Sequence, residues 1–216
     1  MSSLQHVHFN PKAKSWTSPE PTSSPEAIDR FHRSLPNYEP TPLVKLESLA
    51  KEVGVGAVYV KDETSRFGLP AFKTLGASWG AFRSIAEKLD LPLDSNIDTV
   101  RDAAQMHRLT LYAATEGNHG RAVARMAAIL DVAAEIHVPA SMHPSTIKLI
   151  GSEGAEVVVS KGRYEDAMYE AGTASKHDKG IMVQDTAFGD YQSVPQVSHS
   201  SQTESVSSTN SIKVDC

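Results

Sequence analysis

The chain has 216 residues, of which 40% are hydrophobic and 22% are charged, and its net charge at pH 7 is −5. This composition is ordinary for a globular protein of one large or two small domains. The negative charge and the lack of a lysine- or arginine-rich run argue against a nucleic-acid partner, and no stretch approaches the roughly 18 apolar residues of a membrane span. Cys216 is the only cysteine, so no internal disulfide can form, and we expect a cytoplasmic protein.

The two ends of the chain differ from its middle. Residues 1–25 carry four prolines among serines and threonines, which predicts a flexible arm. His6 and His8 lie in this arm, but no third ligand stands at a suitable spacing, so we predict no metal site. Residues 188–216 are rich in serine and have no sustained hydrophobic period, which predicts a disordered tail.

Helices and strands alternate through the middle of the chain. Before residue 90 the pattern predicts one helix that begins at Glu26, two more over Val44–Val53 and Lys73–Leu89, and a strand over Val58–Val60. After residue 90 it predicts helices over Asp98–His107, Asn118–Leu130, Ser145–Glu153 and Tyr164–Ser175, and strands over Leu109–Ala114, Glu135–Val138, Glu156–Val159 and Ile181–Gln184. Strands that alternate with helices of about ten residues predict crossover connections and a parallel sheet, so the fold class is α/β.

Two segments carry the strongest functional signal. The first, Ser65–Ala77 (SRFGLPAFKTLGA), places Lys73 at the start of a helix, after a loop of small and turn-forming residues. The second, Ala114–Gly120 (ATEGNHG), is a polar turn between a strand and a helix, where open parallel sheets bind their ligands. Its glycines let the backbone approach a ligand closely, and Asn118 offers both a hydrogen-bond donor and an acceptor.

The sequences of these segments resemble those of the fold-type II pyridoxal 5'-phosphate (PLP) enzymes, the tryptophan synthase β-like group. Three stretches, VYVKDETSRFGLPAFKTLGAS, ATEGNHGRAVA and VQDTAFGDY, look most like the diaminopropionate ammonia-lyase family. The resemblance covers roughly Phe31 to Tyr191. It is specific in the lysine and asparagine segments and generic in the helices between them.

The resemblance implies a cofactor, PLP, and a role for several residues. Lys73 would bind PLP through a Schiff base, and Asn118 would hydrogen-bond the ring hydroxyl of the cofactor. The surrounding turn would bind the substrate carboxylate, and its residues are Thr115, Gly117, His119 and Gly120. By position alone, Lys73 fits a surface lysine on an amphipathic helix, Asn118 fits a helix cap, and His119 fits a buried ring without a chemical role.

Two carboxylates are implied as proton acceptors, each acting on one substrate enantiomer. Asp185 occupies the position of a family aspartate, although a turn residue at a strand end would fit the same place. Glu116 stands where the family has another aspartate, and its extra methylene leaves the enantiomer preference open. Asp62 and Glu63 are better explained as a solvated turn or an ion-pair site than as part of the chemistry.

Family members are much longer than 216 residues. The resemblance therefore implies an incomplete fold-type II enzyme: residues 26–89 belong to the N-terminal part of the larger lobe, and residues 90–187 form the smaller α/β lobe. The family's glycine-rich phosphate loop has no counterpart here, since Gly151–Gly154 (GSEG) is typical of a helix end. Intact members are expected to act on a small amino acid as homodimers.

The implied reaction removes both amino groups of 2,3-diaminopropionate to give pyruvate and ammonia. Two alternatives stay open. The chain could be a truncated product or isoform without catalysis, either an unstable fragment or a binding partner of a full-length subunit. It could also be another PLP-dependent β-eliminase such as a serine/threonine dehydratase. Glu116 and Asp185 argue against the dehydratase, because such enzymes carry small or hydroxyl residues at the Glu116 position.

Overall fold

The computed structural model describes residues 25–186. The predicted tail and all but the last residue of the predicted arm lie outside this range. The helices are α1 (Pro25–Ser34), α2 (Glu47–Val53), α3 (Lys73–Lys88), α4 (Ile97–Met106), α5 (Asn118–Leu130), α6 (Pro144–Gly151) and α7 (Tyr164–Ala174). The strands are β1 (Leu43–Lys45), β2 (Tyr59–Lys61), β3 (Thr110–Ala114), β4 (Ala133–Val138), β5 (Glu156–Val159) and β6 (Gly180–Met182).

A four-stranded sheet organises the second part of the molecule, with the strand order β5-β4-β3-β6. All three strand pairs are parallel, which confirms the predicted α/β class and the parallel sheet over residues 90–187. Tyr112 of β3 lies opposite Glu135 of β4 and Met182 of β6. The β3 residues are almost completely buried, as expected for a central strand with helices on both sides.

The connections of this sheet reverse direction next to β3. From β3 the chain proceeds to β4 and β5, and α7 then carries it back to β6 on the opposite side of β3. The carboxyl ends of β3 and β6 therefore form a topological switch point, the place where open α/β sheets bind ligands. The Ala114–Gly120 segment begins at the last residue of β3, and Asp185 follows β6.

One hydrophobic core joins the helices in front of the sheet to the sheet itself. Helix α3 packs against α5, and it buries Leu75, Trp79, Phe82 and Ile85. The core also includes Phe31 of α1, whose ring lies 5.2 Å from Trp79 and 4.6 Å from Phe82, and it continues to Val183. Residues on both sides of position 89 thus share this core, and the lobe boundary stays a prediction.

The predicted helix over Val44–Val53 is partly wrong. Its first residues form β1, which pairs antiparallel with β2, and the helix begins only at Glu47. Val44 lies opposite Val60, a pair of β-branched residues suited to strands. The helix ends at Val53, as predicted, because the next residue, Gly54, adopts a left-handed backbone conformation with φ of 71°.

We call β1 and β2 together the ribbon. Among the described residues it has two strands, and apolar side chains on it are exposed: Val44 (40%), Tyr59 (43%) and Val60 (44%). Within residues 25–186, no helix is long and apolar enough to cross a membrane. The same range contains no group of three or more histidine, cysteine, aspartate or glutamate residues that could hold a metal ion.

Candidate active site

Lys73 and Asp185 form an ion pair at the switch point. Lys73 is the first residue of α3, and its Nζ donates a hydrogen bond of 2.5 Å to Oδ2 of Asp185, 112 residues later in the chain. The Lys73 side chain is 40% exposed and that of Asp185 is 21% exposed. An amine that is open to small molecules thus lies in direct contact with a partly buried carboxylate.

His119 lies buried beside this pair. Its Nε2 donates to the carbonyl oxygen of Val183 at 2.8 Å, and its Nδ1 lies 3.7 Å from Oδ2 of Asp185. Burial lowers the pKa of His119 below its ordinary value, so the ring is neutral at neutral pH and Lys73 is the cation that faces Asp185. Burial tends to raise the pKa of Asp185, but the hydrogen bond from Lys73 and the positive charge of its ammonium oppose this and hold the pKa below its usual range.

The turn between β3 and α5 is built around Thr115. Its Oγ1 accepts hydrogen bonds from the N–H groups of Gly117 at 2.9 Å and Gly120 at 3.0 Å. Gly117 has φ of 156° and ψ of −99°, a backbone conformation essentially restricted to glycine. A Cβ at Gly120 would lie 2.4 Å from the Thr115 side chain and 2.8 Å from that of Ile136, so only glycine fits there.

This turn presents free backbone donors at the start of α5. Within residues 25–186, the N–H groups of Glu116, Asn118 and His119 have no hydrogen-bond acceptor, as is usual for a helix N-terminus. Such groups bind anions, including carboxylates. Gly117 occupies the N-cap position, so Asn118 is not a helix cap, and its exposed side chain stays available to a ligand.

Two residues that the sequence analysis did not select complete the site. Gln184 is fully buried; its Oε1 accepts from the N–H of Ala114 at 2.9 Å, and its Nε2 donates to the hydroxyl of Tyr164 at 2.7 Å. Gln184 thereby ties together the ends of β3 and β6 and the start of α7. The Tyr164 hydroxyl also hydrogen-bonds Thr186, and burial raises its pKa. The signal for Gln184 was its place as a polar residue beside Asp185 in an apolar strand end.

Glu63 is a structural residue, in agreement with the ion-pair interpretation. Arg66 binds it through two hydrogen bonds, Nε to Oε2 at 2.6 Å and Nη2 to Oε1 at 2.8 Å, and both side chains are largely buried. Arg66 also donates to Oγ1 of Thr41 at 2.8 Å. Asp62 is different, since its carboxylate accepts two hydrogen bonds from Thr64 at the surface.

The structure thus brings together most of the selected residues. Lys73, His119 and Asp185 are mutual neighbours. The exposed Glu116 is close enough to Tyr164 to act on it electrostatically. No hydrogen bond of the Glu116 or Asn118 side chain is found among the described residues, and the chemical roles of all these residues stay predictions. Gly151 ends α6 and Gly154 lies in the turn before β5, as the helix-end interpretation expects.

Comparison with known proteins agrees with this geometry. Residues 35–200 match the family model described as pyridoxal-phosphate dependent enzyme. Diaminopropionate ammonia-lyase of Salmonella typhimurium is 34% identical over 169 residues, which are 76% of this chain and 42% of the relative. The enzyme of the same name from Escherichia coli is 34% identical over 181 residues, which are 83% of this chain and 45% of the relative. The chain therefore spans less than half the length of these curated relatives.

Solved structures show the same likeness. The apo crystal structure of Escherichia coli diaminopropionate ammonia lyase superposes with a TM-score of 0.76 at 31% identity, over 84% of this chain and 50% of that one. Serine racemase from Dictyostelium discoideum, at 19% identity and a TM-score of 0.60 over 88% of this chain and 55% of that one, shares the fold alone. The family model covers more than half of the chain. We conclude that the chain belongs to the family of pyridoxal-phosphate dependent enzymes.

Proposed function

We propose that the chain carries the lysine-bearing part of a PLP-dependent ammonia-lyase that acts on 2,3-diaminopropionate. The observation that carries this proposal is the contact between Lys73 and Asp185 at the switch point, beside the turn that follows β3. The relatives named diaminopropionate ammonia-lyase support the choice of substrate. A cytoplasmic location and assembly as a homodimer stay predictions from the sequence.

The residues present fit the aldehyde end of PLP. Lys73 would hold the cofactor through its amine, which is accessible to a small molecule. Asn118, exposed on the same turn, would hydrogen-bond the cofactor ring. When bound, PLP supplies an electron sink for the charge that remains when a proton leaves the α-carbon of an amino acid.

The chain's own carboxylates would move the proton. Asp185 is ionised at neutral pH because its pKa is lowered, so its Oδ2 is in the state that accepts a proton. Its partly buried position keeps it close to the Lys73 amine and away from bulk water. Glu116 would serve the opposite enantiomer from the other end of the turn, and its exposure leaves room for the extra methylene.

The turn would hold the substrate carboxylate. The free N–H groups at the start of α5 point to an anion, and Thr115, Gly117 and Gly120 fix the backbone that presents them. The buried His119 is neutral and hydrogen-bonded to Val183, and its ring would help to hold the neighbouring Asp185 carboxylate in place. Positioning of this kind matters because a shift of about 1 Å can cost on the order of a hundredfold in rate.

The test uses the purified chain, titrated with PLP. Binding is measured by the absorbance change of PLP on covalent attachment, and turnover by the release of pyruvate from diaminopropionate. We expect weak binding and slow or no pyruvate release, since the chain spans under half of its relatives' length. Lys73→Ala should abolish the attachment. Attachment that is indifferent to Lys73→Ala would refute the proposal, and faster turnover of serine or threonine than of diaminopropionate would favour the dehydratase.

A further inference from the structure

The segment that leads into α3 contains an unusual turn. Residues Arg66–Gly68 form one turn of 3-10 helix, and Phe67 within it has a positive φ of 51°. The left-handed region is unfavourable for a bulky residue because its Cβ clashes with the backbone. Such a conformation persists only where its surroundings hold it. Gly68 also has a positive φ, of 70°. The turn therefore needs an outside support.

Arg125 of α5 supplies this support. Its Nη1 donates a hydrogen bond of 2.5 Å to the carbonyl oxygen of Phe67. The same guanidinium is held by Glu153, after α6, through Nε at 2.7 Å and Nη2 at 2.6 Å. The Glu153 side chain is only 7% exposed, and Arg121 pairs with its other oxygen at 2.8 Å. Arg125 is thus anchored on one side and bound to the strained turn on the other.

A set of short-range hydrogen bonds leads from this turn to the first turn of α3, where Lys73 lies next to Thr74. The N–H of Leu69 bonds the carbonyl of Arg66, and the N–H of Ala71 bonds that of Leu69, both at 2.8 Å. The Thr74 hydroxyl then bonds the carbonyl of Ala71 at the start of α3. A tilt of the turn would therefore be transmitted to Thr74 and, through the backbone, to the adjacent Lys73.

We propose that Arg125 is a positioning residue for Lys73. It holds the Arg66–Gly68 turn against α5, and through the turn it aims the Lys73 amine at Asp185. Its importance for catalysis rests on the proposed function, whereas its effect on the turn does not. Arginine suits this place because its planar fork can donate to Glu153 and to the Phe67 carbonyl at the same time, which a lysine cannot do with one nitrogen.

The chain offers a matched control for this proposal. Arg121→Gln removes the other arginine bound to Glu153 but leaves the contact with Phe67 intact, whereas Arg125→Gln removes that contact. Both variants lose one buried charge-assisted interaction with the same carboxylate. Any difference between them at the turn therefore reports on the Arg125–Phe67 hydrogen bond.

Hydrogen–deuterium exchange of the full chain measures the turn directly. In Arg125→Gln we expect the amides of Gly68, Leu69 and Ala71 to exchange about tenfold faster or more, as befits the loss of a hydrogen bond from a charged donor. Arg121→Gln should leave these amides near the wild-type rate, and Arg125→Lys should restore part of the protection. Core amides of α5 in the same samples separate local opening from unfolding. Equal exchange at the turn in Arg125→Gln and wild type would overturn the proposal.

A second readout follows the amine itself. The chain is treated briefly with PLP, reduced with borohydride and mapped by mass spectrometry, with the exposed Lys51 as internal reference. We expect the preference for Lys73 over Lys51 to fall severalfold in Arg125→Gln but not in Arg121→Gln; an unchanged preference would contradict the link from turn to amine. If wild-type Lys73 reacts no faster than Lys51, the proposed function fails, and the exchange experiment still decides the role of Arg125 at the turn.

Discussion

At the scale of single residues, buried histidines link the stability of the fold to pH. His32 of α1 is buried, and its Nε2 donates to the carbonyl oxygen of Leu75 at 3.0 Å. Burial lowers the pKa of His32 to about 4, and it also lowers the pKa of His119. At mildly acidic pH, both rings bind fewer protons in the folded protein than in the unfolded chain. Acidification therefore lowers the free energy of unfolding.

We therefore predict that the chain loses stability as the pH falls from about 6.5 to about 4, because the folded-state pKa of His32 is depressed. The contribution of His32 is fully present above pH 6.5 and amounts to roughly 3 kcal/mol, from the shift of its pKa. His32→Gln, which keeps a donor for Leu75, should flatten this dependence. Urea unfolding at several pH values measures it, and the exposed His107→Gln is the control. An unchanged slope in His32→Gln would show that other groups cause the loss.

The Lys73–Asp185 pair is predicted to influence stability much less than chemistry. Lys73 is well exposed, so solvent screens the interaction, and Asp185→Asn should lower the free energy of unfolding at pH 7 by no more than about 1 kcal/mol. Under the proposed function, the same variant should strongly impair proton transfer from the substrate. Because the pKa of Asp185 is lowered, its stabilising effect is lost only as the pH falls below about 4. A large stability loss in Asp185→Asn at pH 7 would mark the residue as structural.

At the scale of elements, the turn between β3 and α5 depends on close packing at Gly120. A Cβ there would clash with Thr115 and Ile136, so Gly120→Ala should destabilise the fold by about 1–3 kcal/mol. Gly56 provides a control, because a Cβ there meets nothing within 4 Å and its φ is not positive. Chemical denaturation of both variants makes the comparison. Similar stabilities of Gly120→Ala and Gly56→Ala would contradict the packing argument.

The loop before α3 depends on its buried ion pair. Glu63→Ala leaves Arg66 buried without its carboxylate partner, and we expect a loss of about 3–5 kcal/mol. The pair between Arg33 and Asp29 on α1 is exposed, so Asp29→Ala should cost less than about 1 kcal/mol. Thermal or urea unfolding of the two variants distinguishes the pairs. A loss below 1 kcal/mol for Glu63→Ala would mean that Arg66 finds other partners, such as Thr41.

The elements also show why some features were predictable and others were not. The bounds of α5 and β5 agree with the sequence pattern because each lies between clear turn signals. Strand β1 was missed because its three residues merge with the amphipathic pattern of α2, and pairing with Val60 decides its conformation. Tyr164 and the support of Phe67 by Arg125 could not be predicted, since both arise from contacts between residues far apart in the sequence.

At the scale of the whole molecule, the order of the strands lay beyond the sequence pattern. Alternation predicts parallel crossovers, but it does not say that β6 returns to the far side of β3. The family resemblance predicts that Lys73, the turn and Asp185 surround one ligand, and the strand order places the turn and Asp185 at the ends of neighbouring strands. The assignment of residues to two lobes stays a prediction, because the described core crosses the expected boundary.

The exposed ribbon predicts association. A two-stranded ribbon is only marginally stable alone. Within residues 25–186 its outer edges pair with no further strand, and these edges and the apolar side chains favour contact with other molecules. We expect the purified chain to self-associate at micromolar concentration, and a double substitution, Val44→Lys with Val60→Lys, to reduce this. Analytical ultracentrifugation measures the change, with a substitution of the exposed Met106 of α4, Met106→Lys, as the control. Equal association of all three proteins would exclude the ribbon as the contact surface.

The separation of 112 residues between Lys73 and Asp185 has a consequence for the order of folding events. Closing so long a segment carries a large entropic cost before the contact forms, so the pair is assembled late. During synthesis, the helix that bears the amine emerges well before the carboxylate that faces it. Strand β6 has three residues and one neighbour among the described strands, so it is also the first part of the sheet expected to open. The amine would then be released from its counter-ion while the rest of the core stays folded.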